Sequence, residues 1–247
     1  MFEIFDDIQF EEEAHKYKFK SRPDLTPTSV TTVLGFYEKE FDTKYWAKRK
    51  AEDYNITVEE VIAMWDKKRD TACDKGTICH WYMECMLSKY DFKYAEKYEY
   101  VRPQFNHAKL MMDQYLKDSS KKLTHIKSEL VVGDTEYNIT GMIDQVYIDE
   151  DGKYYLFDWK TNIKIDKTSN YMLEGYLSNI DSSKLSTYSL QLHLYKHLIE
   201  KNTDVKIEAC YIVWFGPNEI NYNIYKVKDY EYLIPGLIKD FIKNKET

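Results

Sequence analysis

The spacing of hydrophobic residues changes along this 247-residue chain from a helical period to a period of two. Residues 29–117 follow a mostly helical pattern, with breaks near residues 55 and 75 and a proline at position 103. Beyond residue 124 the period is two, and turns rich in glycine and aspartate separate three predicted strands. These strands span residues 124–132, 137–148 and 153–161.

The flanking segments complete the predicted order of elements. Two strand-like pieces, 2–5 and 15–20, precede the helical region. After the three strands, the pattern predicts a helix at 185–200, a buried strand at 205–215 and a closing helix at 229–245. This order indicates an α/β fold with a mixed central sheet flanked by helices, plus a helical N-terminal region.

The last of the three strands carries two charges inside an aromatic run, YYLFDWKT. Side chains alternate across a strand, so Asp158 and Lys160 share one face while Tyr155, Phe157 and Trp159 share the other. The aromatic face can pack on helices. Because burying an ionised group without a partner is costly, we expect the charged face to border water or a metal ion.

The turn before this strand decides which residue lies beside Asp158. A three-residue loop at 150–152, ending in a left-handed Gly152, places Asp144 directly opposite Asp158, with Cβ atoms about 5 Å apart. A two-residue loop would instead place Asp144 opposite Trp159. Two carboxylates at this distance repel each other unless a cation lies between them.

A third carboxylate can join the pair. An even-length turn after Val132 would bring Glu129 onto the face shared by Asp144 and Asp158. Three carboxylates and one lysine on one face suit a hard divalent ion with oxygen ligands, Mg²⁺ or Mn²⁺. The solvated polar face of an antiparallel sheet is the alternative interpretation of the same residues.

Composition narrows the class of protein. Hydrophobic residues make up 43% of the chain and aromatic residues 16%, enough for the core of one large domain. The net charge of −7 disfavours a protein that coats nucleic acid but leaves room for a local basic groove. No apolar run approaches the roughly 20 residues that span a bilayer, and the acidic start is unlike a signal peptide. We therefore expect a cytoplasmic protein without a membrane partner.

Four short motifs, in order, resemble those of RecB-like nucleases in the PD-(D/E)XK superfamily, a pattern shared by phage recombination nucleases. Residues 28–34, TSVTTVL, are similar to the front segment of the mitochondrial genome maintenance exonuclease group. The four motifs are Gly76-Thr-Ile-Cys-His80, Gly141-Met-Ile-Asp144, Asp158-Trp-Lys160-Thr161 and the spaced pair Gln191 and Tyr195.

The resemblance implies a single nuclease domain over residues 1–247. Residues 76–247 would form a restriction-endonuclease-like core, in which a mixed central sheet is flanked by helices. Residues 1–75 would form N-terminal strands and a helical region over the substrate groove.

The resemblance also implies roles for the matched residues. Asp144 and Asp158 would be metal ligands together with the backbone carbonyl of Trp159, and His80 would add a ligand from its helix. Lys160 would orient or activate the attacking water. The remaining roles are Glu129 as a supporting catalytic carboxylate, Gln191 and Tyr195 as braces or contacts to the DNA backbone, and Ser29, Thr31 and Thr161 as DNA contacts.

The cysteines depart from the pattern of relatives that hold an iron–sulfur cluster, which have one cysteine before the first motif and three after the last. Here three cysteines lie within or close to the first motif, and only Cys210 follows the last motif. The three are spaced six residues apart, so their side chains cannot share one helix face. We expect no iron–sulfur cluster. The expected structural thiols are Cys73, Cys79, Cys85 and Cys210.

Two histidines have a spacing that can bind zinc. His193 and His197 stand at i and i+4, but Leu194 occupies the position of the glutamate in a HExxH motif, and no third ligand is evident. We therefore expect these histidines on a helix face near water.

A basic helical segment predicts a second contact with DNA. Lys48 and Arg49 lie close to Tyr45 and Trp46, a combination that can grip phosphates and stack the bases of a single strand. The expected function is a Mg²⁺- or Mn²⁺-dependent DNA exonuclease that acts on single strands or free ends. It would serve replication, recombination or repair, with proteins of those processes as partners. The alternatives are a structure-specific endonuclease or resolvase and a catalytically inactive DNA-binding module.

Overall fold

The computed structural model describes residues 1–11, 14 and 16–245. The chain begins with a 3-10 turn, Glu3–Asp7, and an antiparallel hairpin of β1 (Ile8–Glu11) and β2 (Lys16–Phe19). The predicted strand at 2–5 is wrong, because Phe2 and Phe5 face the core three residues apart, which is the period of a 3-10 turn. The predicted strand at 15–20 is present as β2, and residue 15 lies outside the described residues.

A short strand and four helices follow. They are β3 (Thr28–Ser29), α1 (Val30–Gly35), α2 (Thr43–Tyr54), α3 (Val58–Ser88) and α4 (Arg102–Ser119). The predicted break near 55 is confirmed, since Asn55 ends α2 with a left-handed φ of 53°. Pro103 lies in the first turn of α4, where its missing N–H costs nothing.

The predicted break near residue 75 is wrong. Helix α3 continues through Gly76 to Ser88, and the next residue, Lys89, is left-handed with a φ of 58°. A Cβ at Gly76 would lie 3.8 Å from Thr161 Oγ1, an ordinary van der Waals distance, so the packing of α3 against the end of β6 does not require glycine here. The helix continues because a single glycine lowers helix stability by only about 1 kcal/mol.

The second half of the chain alternates strands and helices as predicted. It contains β4 (Thr124–Asp134), β5 (Ile139–Ile148), β6 (Tyr154–Lys160), α5 (Lys184–Asn202), β7 (Ile207–Trp214), β8 (Asn223–Lys226) and α6 (Ile234–Lys245). The prediction missed β8, which is only four residues long. It also placed the start of α6 too early, because a separate 3-10 turn, Glu231–Leu233, precedes that helix.

The sheet is mixed, as the sequence predicted. Its order is β3-β5-β6-β7-β8, with β6 and β7 parallel and β4 antiparallel to β5 along the full length of β5. Since β4 occupies one edge of β5, strands β3 and β6 share the other edge. Strand β3 pairs at Ile139 and Thr140, and β6 pairs only from Gln145 onward, so a gap opens between them.

Helices cover both faces of the sheet. Leu156 of β6 faces a core that contains residues of α1, α5 and α6, while Phe157 and Trp159 face α3 and α4. The prediction that the aromatic face of β6 packs on helices is therefore confirmed. A small separate core of Ala47, Ala51 and Val61 holds α2 against the start of α3.

Candidate active site

The hairpin between β5 and β6 has the predicted three-residue loop. Gly152 has a φ of 78°, and the N–H of Asp149 donates to the carbonyl of Lys153 at 3.1 Å. The pairing of Gln145 with Phe157 continues this register and places Asp144 opposite Asp158. The shared face of the two carboxylates is thus confirmed.

The backbone pairing of β5 with β6 stops before Asp144, which leaves the N–H of Trp159 without a ladder partner on β5. The Trp159 N–H donates to Asp144 Oδ2 at 2.6 Å, a side-chain bond in place of a ladder bond. The Trp159 carbonyl lies 3.2 Å from His80 Nε2. One residue of β6 therefore positions both the carboxylate from β5 and the imidazole from α3.

Glu129 enters the site from β4 through an unusual backbone conformation. The turn at 135–138 has an even length, as the prediction required, and the pairing of Ser128 with Gln145 places Glu129 opposite Asp144. The φ of Glu129 is 47°, a left-handed value that is uncommon for any residue but glycine and that marks many functional sites.

Three potential metal ligands converge as a result. One ligand atom each from His80, Glu129 and Asp144 lies within 4.8 Å of the others. His80 Nδ1 lies 3.6 Å from Asp144 Oδ1 and 4.0 Å from Glu129 Oε1. Helix α3 and strands β4 and β5 thus each supply one side chain to a single point.

Asp158 and Lys160 form the other half of the site. Asp158 is only 2% exposed, and its Oδ2 lies 2.5 Å from Lys160 Nζ. The ammonium of Lys160 also lies 4.6 Å from the centre of the Tyr188 ring. The sequence reasoning missed Tyr188, although it stands three residues before Gln191 on the same face of α5.

If all the carboxyl groups of the site were ionised, their negative charge would exceed what Lys160 can balance, so the site resists their ionisation. Burial and the nearby Asp144, Glu84 and Asp158 raise the pKa of Glu129 to about 9. Burial also raises the pKa of Asp158, with Asp144 adding to the effect and Lys160 opposing it. A bound cation would relieve this repulsion.

The donor set fits a hard divalent ion. Within the part of the chain that the structure describes, Glu129 Oε1 is buried without a hydrogen-bond partner, which leaves it free to bind an ion. Carboxylate oxygens and a backbone carbonyl suit a hard divalent ion, and the one imidazole is a ligand that transition-metal ions also accept. The arrangement can therefore hold a metal ion beside a lysine.

Two residues of the last motif lie on α5 beside the site. Tyr195 is 3% exposed, and Gln191 Nε2 donates to its hydroxyl at 3.0 Å. A Cβ on Gly141 would lie 2.4 Å from the Tyr195 ring, so only glycine allows this ring to pack on β5 beside Asp144. Of the two roles that the sequence left open for Tyr195, its burial fits the brace.

The remaining predicted DNA contacts lie outside this group. Ser29 caps α1 by accepting from the Thr32 N–H, and Thr31 is exposed. Lys48 and Arg49 are exposed on α2, with the Arg49 guanidinium 5.5 Å from the Trp46 ring. Thr161 is buried, and its carbonyl accepts from Lys75.

The histidine pair on α5 differs from its prediction. His193 is buried rather than near water, and its Nε2 lies 2.9 Å from the carbonyl of Lys228. His197 stacks on Tyr137. Helix α5 lies inside the core, so its polar residues find partners in neighbouring segments rather than in solvent.

The cysteines are all unpaired thiols. Cys73 is exposed on α3, and the other three are buried: Cys79, Cys85 and Cys210. Burial raises the pKa of Cys79 and of Cys210 to about 12, which keeps both thiols protonated at neutral pH.

Comparison with known proteins identifies the family. The family model described as the PD-(D/E)XK nuclease superfamily matches residues 47–227, well over half of the chain. A search of curated protein sequences finds no match. The chain belongs to the PD-(D/E)XK nuclease superfamily, a class of phosphodiesterases with nucleic-acid substrates.

Solved structures with a similar fold show low similarity. A candidate exonuclease of Eubacterium rectale is 14% identical, with a TM-score of 0.45 over 97% of this chain and 88% of that chain. The protein SSO0001 is 16% identical, with a TM-score of 0.33 over 88% of this chain and 75% of that chain. Neither likeness carries an argument about function.

No helix in the described ranges is long and apolar enough to cross a membrane.

Proposed function

We propose that this PD-(D/E)XK nuclease is a RecB-like DNA exonuclease that depends on Mg²⁺ or Mn²⁺ and acts on single strands or free ends. The observation that carries the proposal is the convergence of His80, Glu129 and Asp144 beside the Asp158–Lys160 pair. A stable protein gains little from three acidic groups that repel one another, so their convergence indicates a cation and a reaction.

Each side chain has a distinct part in hydrolysis. His80, Glu129, Asp144 and the Trp159 carbonyl would hold the ion, with Asp158 as a further ligand. When bound, the ion would lower the pKa of a water molecule and stabilise charge on the phosphate.

Lys160 would act beside the ion rather than on it. Its ammonium contacts both Asp158 and the Tyr188 ring, which would hold it in place. From there it would orient the attacking water and balance negative charge that develops on the phosphate oxygens.

The N-terminal region would guide the strand to the site. Exposed aromatic and basic side chains on α2, including Tyr45, Trp46, Lys48 and Arg49, combine ring stacking with phosphate binding. Ser29, Thr31 and Thr161 would contact the strand nearer the carboxylates. The single-domain arrangement, with residues 1–75 over the groove of the 76–247 core, belongs to the same proposal.

Digestion of linear and closed-circular DNA tests the proposal. We expect end-labelled linear single strands to be shortened with Mg²⁺ and left intact with EDTA, and closed circles to be left intact in both. Cleavage of closed circles would instead indicate an endonuclease or resolvase. Binding without any cleavage would indicate an inactive DNA-binding module.

A further inference from the structure

A cavity lies near the end of β6, on the side of the sheet covered by α3 and α4. Its volume of about 280 Å³ is slightly below the usual range of about 300–1,000 Å³ for small-ligand pockets. Its polar lining consists of Lys75, Gln104 and His107. Its apolar walls are Pro103, Ala108, Phe215 and Pro217.

The backbone connects this cavity directly to the catalytic residues. The N–H of Phe215 donates to the carbonyl of Lys160 at 2.9 Å, and the ammonium of Lys75 donates to the carbonyl of Thr161. Helix α3 carries both Lys75 and His80, which contact the carbonyls of Thr161 and Trp159. These carbonyls are two residues apart, roughly 7 Å along an extended chain, so the cavity lies at the end of β6, around the strand end from the face that carries Asp158 and Lys160.

The polar groups of the cavity have unused hydrogen-bonding capacity. His107 Nε2 is buried and has no partner within residues 1–11, 14 and 16–245. In the same ranges, Lys75 makes one hydrogen bond, although an ammonium can donate three. A buried polar group without a partner destabilises the protein, and a ligand that supplies the missing bond would recover that loss.

The chemistry of the walls favours one class of occupant. An unstacked nucleobase has two apolar faces and a polar edge, which match the apolar walls and the few polar groups of this cavity. A phosphate group has no apolar face, so proline, alanine and phenylalanine walls would leave much of its charge without compensation. A single strand at the active site would bring bases within reach of the cavity.

We infer that this cavity receives one unstacked nucleobase of the substrate strand, from a nucleotide adjacent to the cleaved bond. The inference rests on the proposed function, because it assumes a nucleic-acid strand at the carboxylates. Lys75, Gln104 and His107 would meet the polar edge of the base, and the walls would cover its faces. The nuclease would then recognise its substrate as a flexible single strand, since a paired base could not enter.

The test combines a cavity variant with substrates that lack one base. His107→Leu removes the hydrogen-bonding nitrogens, and Asn106→Leu makes the matched change at an exposed neighbour on α4 that does not line the cavity. The substrates are labelled single strands that carry one abasic nucleotide, moved one position at a time across the cleaved bond. Single-turnover cleavage rates with Mg²⁺ are compared.

We expect one abasic position to slow the wild-type enzyme about tenfold, the lower range of losses for a stacked base. His107→Leu should slow cleavage of the intact strand to a similar degree but have no further effect on that abasic strand, because both changes remove the same contact. Asn106→Leu should match the wild type on every strand. If His107→Leu does not fold, Gln104→Ala takes its place with a smaller loss.

Two results would contradict the inference and leave the proposed function intact. One is wild-type cleavage that is indifferent to every abasic position, and the other is a His107→Leu loss that persists on all abasic strands. If the wild type cleaves no strand at all, the proposed function fails first and the inference falls with it.

Discussion

Two clusters that each contain a lysine and an aspartate lie beside helix α5. One is the site around Asp158 and Lys160, and the other is called the anchor cluster here. The two clusters differ in how fully their polar groups are hydrogen-bonded. The anchor cluster, Asp181, Ser183, Ser186 and Lys228, lies at the first turn of α5. Lys228 Nζ lies 2.9 Å from Asp181 Oδ2 and 2.7 Å from Ser186 Oγ. The Ser183 N–H and the Ser186 hydroxyl also donate to Asp181, each at 3.0 Å.

The pKa values of the acidic groups reflect this difference. Burial alone would raise the pKa of Asp181, but hydrogen bonds from Ser183, Lys228 and Ser186 outweigh it and lower the pKa to about 2. At the active site the pKa values of Glu129 and Asp158 are raised instead. A satisfied cluster stabilises the fold, whereas an unsatisfied one has capacity left for a ligand.

Replacing one aspartate in each cluster should reduce activity in one variant and stability in the other. Asp158→Asn should reduce cleavage by about a hundredfold or more, because a major charge of the site is gone. Its melting temperature without metal should change little, because relief of the repulsion from Asp144 offsets the loss of the ion pair with Lys160. Asp181→Asn should keep its activity per folded molecule but lose about 2 kcal/mol of stability. Measurable Mg²⁺-dependent activity near the wild-type level in Asp158→Asn would refute the assignment.

The two lysines offer a second matched pair. Lys160→Ala should lower turnover about a hundredfold, the usual scale for an electrostatic or acid–base group. Its affinity for Mg²⁺ should hold or increase, because a neighbouring positive charge is removed. Lys228→Ala should instead melt earlier and cleave normally. Calorimetry and single-turnover assays separate these effects, and loss of both metal binding and fold in Lys160→Ala would make Lys160 a structural residue.

Substitutions of Tyr188 should have a smaller effect on turnover than Lys160→Ala. Its ring lies over the Lys160 ammonium, so Tyr188→Leu should reduce turnover about tenfold with little change in KM, consistent with the loss of a desolvated cation–π contact. Tyr188→Phe retains the ring and should retain most of the activity. Equal losses in both variants would show that the hydroxyl, not the ring, supports Lys160.

The sequence predicted the carboxylate face because short-range rules determine it. Side-chain alternation and the loop ending in Gly152 were sufficient to place Asp144 opposite Asp158. The position of His80 beside the Trp159 carbonyl depends on how α3 packs, which no local pattern specifies. The motif resemblance alone pointed to that histidine.

Other features were missed for related reasons. The left-handed φ of Glu129 has no sequence signal, since glutamate is not a residue that favours that region. Gly76 suggested a helix break, but α3 continues through it, because one glycine costs a packed helix only about 1 kcal/mol. Tyr188 was overlooked because its role depends on the distance from α5 to β6, although its spacing from Gln191 was visible.

The pH dependence of stability tests the raised pKa of Glu129 without any substrate. The pKa of Glu129 is about 9 in the folded protein and 4.5 ordinarily, so between these values the folded state binds more protons than the unfolded state. The free energy of unfolding without metal should therefore fall as the pH rises through this window, by up to about 1.4 kcal/mol per unit. Glu129→Gln should flatten that slope. Urea titrations in EDTA from pH 5 to about 9 measure it, and equal slopes in both proteins would contradict the raised pKa.

The most direct test of the difference between the two clusters is calorimetric titration of Mg²⁺ into three proteins at neutral pH. The wild type and Asp181→Asn should bind the ion with the same affinity, and buffers of different ionisation enthalpy should reveal proton release from the carboxyl groups. Asp144→Asn should lose the binding while remaining folded. Equal binding by Asp144→Asn and the wild type, or no binding by the wild type, would contradict a metal centre at His80, Glu129 and Asp144.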